Sequence, residues 1–172
     1  MSLSIAEGKT FGFAAQFPAI LTQSRVESCR EVYEQHRHRV YSLCFWMTDN
    51  ELAAEELMTR AFCRVFDTDD VPTCDEIDNA LIAELRNCVE LGTLSLNCAP
   101  CTQVLSVRRN TLRVDLERAV VQLPDTEKLM FLMHDVDGYD HARIARLLGV
   151  SENASRQGVH QARLRLRELL AK

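Results

Sequence analysis

The densest chemistry in the chain is HDVDGYDH, His134 to His141, where three carboxylates and two imidazoles surround Asp137-Gly138. Oxygen and imidazole donors packed this closely could hold a cation. A calcium loop of the EF-hand type needs ligands at alternate positions before its Gly and a Glu six residues after it. Met133 and Ile144 stand at the two ends of that pattern, and both are apolar. Turn chemistry accounts for the letters better. Asp137-Gly138 supplies the turn, because Gly tolerates positive φ. Asp140 caps a helix that begins at His141. Tyr139 is placed to pack under the corner, and His134 lies near a helix C-terminus, where a cation is favoured. No metal is expected here.

Two other groups of ligand-type residues lead to the same expectation. Cys98-Ala-Pro-Cys101 is a lone CxxC with no second pair at finger spacing and no strand-helix context. His36 and His38 fall on two sides of a helix, His36 partly buried and His38 exposed, so they cannot grip one ion. No Gly-rich phosphate loop, nucleophile elbow or HExxH helix occurs. The sequence predicts no enzyme, no cofactor and no small-molecule substrate.

A different chemistry marks the C-terminal helix. Arg156, Gln157, His160, Gln161, Arg163, Arg165 and Arg167 lie on one side of the segment that starts at Ser151. Arg and Gln can engage base edges in bidentate fashion, and the arginines can neutralise phosphates. A solvated face of a bundle would show a similar pattern. The preceding residues favour DNA. Ile144, Ala145 and Leu148 predict the buried side of a short helix, Asp140–Leu148. Gly149 can take the left-handed C-cap conformation, Val150 plugs the corner, and Ser151 caps the next helix. This is the sequence pattern of a helix-turn-helix.

The elements that carry these residues all read as helix. Apolar residues at Cys29, Val32/Tyr33, His36, Val40, Leu43/Cys44 and Met47 mark one face from Val26 to Met47. Asp49 is the expected cap of a second helix burying Leu52/Ala53, Leu57, Ala61/Phe62 and Val65/Phe66. Thr73-Cys-Asp-Glu76 is a capping box that opens a third helix, which runs to about Leu91 with Ile77, Leu81, Leu85 and Cys88 inward. Residues 92–110 lack a period and read as a linker. Thr111–Leu123 then buries Leu112, Leu116, Ala119/Val120 and Leu123, and Asp125 caps the next helix. The expected architecture is all-α: an N-terminal extension (1–25), a three-helix domain (26–91), the linker, and a four-helix domain (111–172).

Composition sets further bounds. The 172 residues are 47% apolar and contain six Gly and four Pro, which disfavours disorder and a many-turned β fold. The net charge of −5 hides a polarity. Residues 49–90 hold twelve acidic and three basic residues, whereas 151–172 hold five basic and two acidic. Two surfaces with different partners follow from that split. If the halves pack together, the acidic half is expected to cover the basic helix. Seven irregularly spaced cysteines suit a reduced, cytoplasmic setting. No run is long enough to span a membrane, and FGFAAQFPAILT (11–22) reads as a docking arm or frayed terminus rather than a signal peptide.

Read together, the two helical blocks resemble an extracytoplasmic-function-type sigma factor of bacterial RNA polymerase. The segment from LERAVVQLPDTEKLMFLMHDVDGYDH to LLGVSENASRQGVHQARLRLREL is similar to region four along its length. It has the Leu-Pro, the Gly-Tyr turn, the Leu-Gly-Val-Ser corner and the closing His-Gln-Ala-Arg. YEQHRHRVYSLCFWMTDNELAAEELMTRAFCRVF resembles region two. The resemblance implies that the 151–167 helix reads the upstream (−35) promoter element, with that domain resting on the polymerase flap. It implies that Glu55, Glu56, Leu57, Arg60 and Phe62 meet the polymerase clamp helices. An anti-sigma factor is a further implied partner.

The chain departs from the family pattern at several points. Thr59-Arg60 stands where Gln-Glu or Gln-Asp is usual. In NALIAELRN (79–87), Ala80 replaces a Trp, Glu84 adds negative charge and only Arg86 is basic. Such a face should handle a melted strand poorly. Ser155 replaces a branched apolar residue, and Gly158 weakens its helix by ~1 kcal/mol relative to Ala. Hence a second reading: a sigma fold kept as a protein-interaction module that does not initiate transcription. An ordinary dimeric helix-turn-helix regulator is a third.

Overall fold

Short polar residues set where most helices begin. In the computed structural model, which describes residues 16–68, 70–89, 91 and 112–171 with side chains from Gln23 onward, every element is helical. The elements are α1 (Gln16–Thr48), α2 (Glu51–Phe66), α3 (Cys74–Cys88), α4 (Arg113–Val121), α5 (Asp125–Phe131), α6 (His141–Leu148) and α7 (Glu152–Ala171). A single π-type turn, Leu132–Val136, extends α5. The linker, Cys98 and Cys101 lie outside the described residues.

Thr73 caps α3 as expected: its Oγ1 accepts from Glu76 N at 3.3 Å and the Glu76 carboxylate accepts from Thr73 N at 2.7 Å. The cap of α2 is Asn50 rather than Asp49. Asn50 Oδ1 accepts from Ala53 N at 3.0 Å, while Asp49 takes φ +51° to turn the chain out of α1. Helix α1 starts well before Val26, inside the expected extension. Pro18 does not prevent this, because a first-turn Pro loses no intrahelical hydrogen bond. Pro124 takes the cap position of α5, and Asp125 becomes its first helical residue.

Helices α1, α2 and α3 pack in succession, and α4, α5 and α6 gather around α7. The first group is filled by Val40, Leu57, Phe62, Ile77, Leu81 and Leu85, the second by Leu129, Met130, Met133, Ile144, Val159 and Ala162. Burial of this kind, about 25 cal/mol per Å² of apolar surface, is the main force holding each group. Some expected core positions face solvent. Leu52 is 78% exposed because Ala54 takes the inward place, and Leu112 and Leu116 are 66% and 43% exposed because α4 packs through Ala119 and Val120. Val150 is exposed beside the turn instead of plugging it.

The two groups touch, α3 against α6 and α1 against α5. The acidic helix therefore faces α6, and the expectation that it covers the basic helix α7 is not met. No described helix is long and apolar enough to cross a membrane.

Candidate nucleic-acid interface

The turn between α6 and α7 is built as its sequence requires. Asp140 Oδ1 accepts from Arg143 N at 2.7 Å and starts α6. Gly149 ends it at φ +71°, ψ +34°, and Val150 N donates to Ala145 O at 3.0 Å to close the last turn. Ser151 Oγ then accepts from Ala154 N at 3.1 Å. Ile144, Ala145 and Leu148 of α6 are buried together with Val159, Ala162 and Leu166 of α7.

Ser155 holds this corner by a polar contact. It is fully buried, and its Oγ lies 3.1 Å from His141 Nδ1, so a hydroxyl bridges α6 and α7 where a branched apolar residue is usual. His141 stacks on His134 with ring centroids 4.3 Å apart. His134 Nδ1 donates to Tyr139 O at 2.7 Å. Burial lowers the His141 pKa, and His134, Arg156 and Arg163 push it the same way. Three further residues of HDVDGYDH are engaged as well. Asp135 pairs with Arg163, Asp140 caps α6, and Gly138 turns the chain at φ +74°. Among the described residues no group of three or more His, Cys, Asp or Glu is arranged to hold a metal.

The outward face of α7 divides into two kinds of residue. Arg156, Gln157, His160, Arg163 and Arg167 are exposed. Arg156, His160, Arg163 and Arg167 repeat at helical spacing and form one stripe. Arg156 is loosely paired with Glu152 at 3.5 Å. Asp135 grips Arg163 through both oxygens, one at 2.9 Å from Nε, and this bonding raises its pKa. Arg165 turns inward, its Nε 2.8 Å from Oε2 of Glu127, which is 1% exposed. Arg165 thus serves the interior of the α4–α7 group and is not presented as a phosphate contact. Gln161 is half-buried.

The residues expected to meet a polymerase divide likewise. Glu55 and Glu56 are exposed on α2 beside Leu52. Leu57 and Phe62 are 1% and 4% exposed and belong to the core, Phe62 in ring contact with Tyr33 and Phe66, so neither can present itself to a partner. Arg60 lies 2.8 Å from Glu56 and 3.4 Å from Glu84. Arg64 reaches the other oxygen of Glu84 at 3.5 Å. Two family departures, a cation at 60 and an acid at 84, are therefore partners. The charge that Glu84 adds to α3 is buried and compensated. Ala80, at the expected Trp position, is buried too.

Helices α4 to α7, with a tight left-handed Gly between two packed helices and a cationic stripe on the second, define a helix-turn-helix protein of the DNA-binding kind. A family model described as sigma-70, region 4, matches residues 113–166. Over 175 aligned residues the chain is 26% identical to the ECF RNA polymerase sigma factor SigE of Mycolicibacterium smegmatis, covering 92% of this chain and 67% of that protein. Residues 113–166 are thus similar to sigma-70 region 4, and the chain along most of its length is similar to an extracytoplasmic-function sigma factor of RNA polymerase.

Proposed function

We propose that this protein is an alternative sigma factor that binds core RNA polymerase and directs promoter-specific initiation, with α7 reading the −35 element. The observation that carries the reading is the exposed stripe Arg156, His160, Arg163 and Arg167 on the second helix of a helix-turn-helix whose sequence matches sigma-70 region 4. Gln157 beside it adds a bidentate donor and acceptor suited to adenine, and Arg156 adds a bidentate donor suited to guanine. The first domain would meet the polymerase clamp through Glu55, Glu56 and exposed Leu52, an acidic and partly apolar strip that suits a basic groove. The flap would receive the second domain, and an anti-sigma factor is the further partner proposed. The place of action is the cytoplasm, where the polymerase works.

The compensated state of Glu84 weakens the case for a module that cannot initiate. The α3 face carries less free negative charge than its letters suggest, since Arg60 and Arg64 lie on either side of that carboxylate. In vitro transcription with core polymerase tests the proposal. Promoter-specific transcripts that depend on this chain are expected. Polymerase binding without any specific transcript would overturn the reading in favour of an interaction module.

A further inference from the structure

Between the two helical groups lies a carboxylate almost wholly withdrawn from water. Asp78 of α3 is 2% exposed. Arg39 of α1 brings Nη1 to 2.7 Å from Oδ1, and Arg143 of α6 brings Nη2 to 2.7 Å from Oδ2. Tyr139 donates its hydroxyl to Oδ2 at 2.8 Å. The two guanidinium groups lie 5.7 and 4.3 Å from the centre of the Tyr139 ring. Asp75 gives Arg143 a second carboxylate at 2.8 Å. At the far end of the contact, Arg86 of α3 donates to Leu148 O, the C-terminal end of α6, at 2.8 Å.

A carboxylate that served only the first domain would be satisfied within it. Asp78 is not: one guanidinium comes from its own domain, and the other guanidinium and the hydroxyl come from the second. Burying a charge is costly unless it is fully paired, so Asp78 stays dry only while the domains are together. Every group in this polar cluster is readily hydrated, so salt should loosen it, while the buried apolar residues of the two groups also run together as one cluster. In a helix-turn-helix the first helix crosses the DNA backbone. Asp75 and Asp78 thus offer Arg143 what a phosphate would offer.

We propose that Asp78 is an intramolecular latch, holding the free chain in a closed resting state that opens before α3 and α7 engage separate parts of one promoter. The second clause rests on the sigma-factor reading; the latch itself does not. While it is closed, α6 covers the Asp75–Asp78 side of α3. A binding-competent state that is only partly populated lowers apparent affinity by its fraction, so opening the latch should tighten polymerase binding.

Small-angle scattering of the full chain tests the latch. The wild type is expected near the ~16 Å radius of gyration of a compact chain of this length. Asp78→Asn and Arg143→Ala should both raise it, and high salt should do the same for the wild type. Should Asp78→Asn lose helix content by circular dichroism, Arg143→Ala decides alone, since it leaves Asp78 paired with Arg39. A variant that keeps its helices and remains as compact as wild type overturns the latch. Core polymerase should bind Arg143→Ala several-fold more tightly than wild type; an opened variant that binds no better overturns the resting-state role. Failure of the wild type to initiate would overturn the sigma reading and leave the scattering result untouched.

Discussion

Arg60 stands 3.4 Å from Glu84, joining α2 to α3 at the two places where the chain departs most from the charge pattern of the sigma factors it resembles. Neither residue can be read singly. Glu84 is buried and needs a cation, and Arg64 is a second one at 3.5 Å. Arg60→Glu would set three carboxylates, at 56, 60 and 84, around one cation. The expected cost is about 1–3 kcal/mol of stability. Urea denaturation measures it, and a coupling energy near zero in an Arg60→Ala, Glu84→Ala double-mutant cycle would sink the pairing.

The arginines of α7 should separate by phenotype. Arg156→Ala removes an exposed group and should relax sequence preference at one base position, with a loss of about 1–3 kcal/mol in discrimination and little change in stability. Arg165→Ala strips Glu127, 1% exposed, of a partner at 2.8 Å. It should cost about 2–3 kcal/mol of folding stability and leave the salt slope of DNA binding unchanged. Binding titrations across salt concentration, alongside thermal melts, distinguish the two. A stable Arg165→Ala protein with a reduced slope would return that residue to the DNA surface.

Periodicity and capping chemistry made most of the fold legible in the sequence. Thr73-Glu76, Asp140, Gly149 and Ser151 do in the structure what their types and order predict. What stayed hidden depends on distant partners. The sequence could not show that Arg165 turns toward Glu127, or that Glu84 answers Arg60 across 24 positions of chain. At Leu57 and Phe62 the family resemblance marked a partner surface, whereas helical phase marked both as core, and phase was the better guide. The charge asymmetry suggests two surfaces with different partners and, if the halves pack, an acidic half covering α7. Only geometry shows that the acidic helix meets Arg143 of α6 and leaves the α7 stripe open.

Two titratable groups give the protein opposing pH dependences. His141 has its pKa lowered, chiefly by burial, so the unfolded chain binds the proton more readily. Its contribution to stability is present above the ordinary histidine value of 6.5 and declines as pH falls below it. Asp137 has its pKa raised to about 6, again mainly by burial, opposed by Arg39 and reinforced by Asp78. The folded state there binds the proton more readily, so the penalty grows as pH rises from about 4 through 6 and is fully present at neutral pH. Asp137→Asn should therefore stabilise at pH 7.5, by on the order of 1–2 kcal/mol, and have little effect near pH 4. Denaturation at the two pH values measures this, and equal effects at both would refute the assignment.

Gly149 offers a test of the turn itself. Its φ of +71° and ψ of +34° place it in the left-handed region, and a Cβ built there meets nothing within 4 Å. Space is therefore not what selects glycine. The cost of Gly149→Ala comes from backbone conformation, about 1 kcal/mol, offset slightly by the lower entropy of the unfolded alanine chain. Gly149→Asn should cost less, because Asn tolerates this region. Gly149→Val should cost more than either, since a β-branched side chain fits positive φ worst. Melting temperatures ordered Gly, Asn, Ala, Val from highest to lowest are expected. Because α6 and α7 meet at this residue, DNA affinity should follow the same order. A valine variant as stable as wild type would mean that the turn relaxes to another conformation and that Gly149 does not set the angle between the two helices.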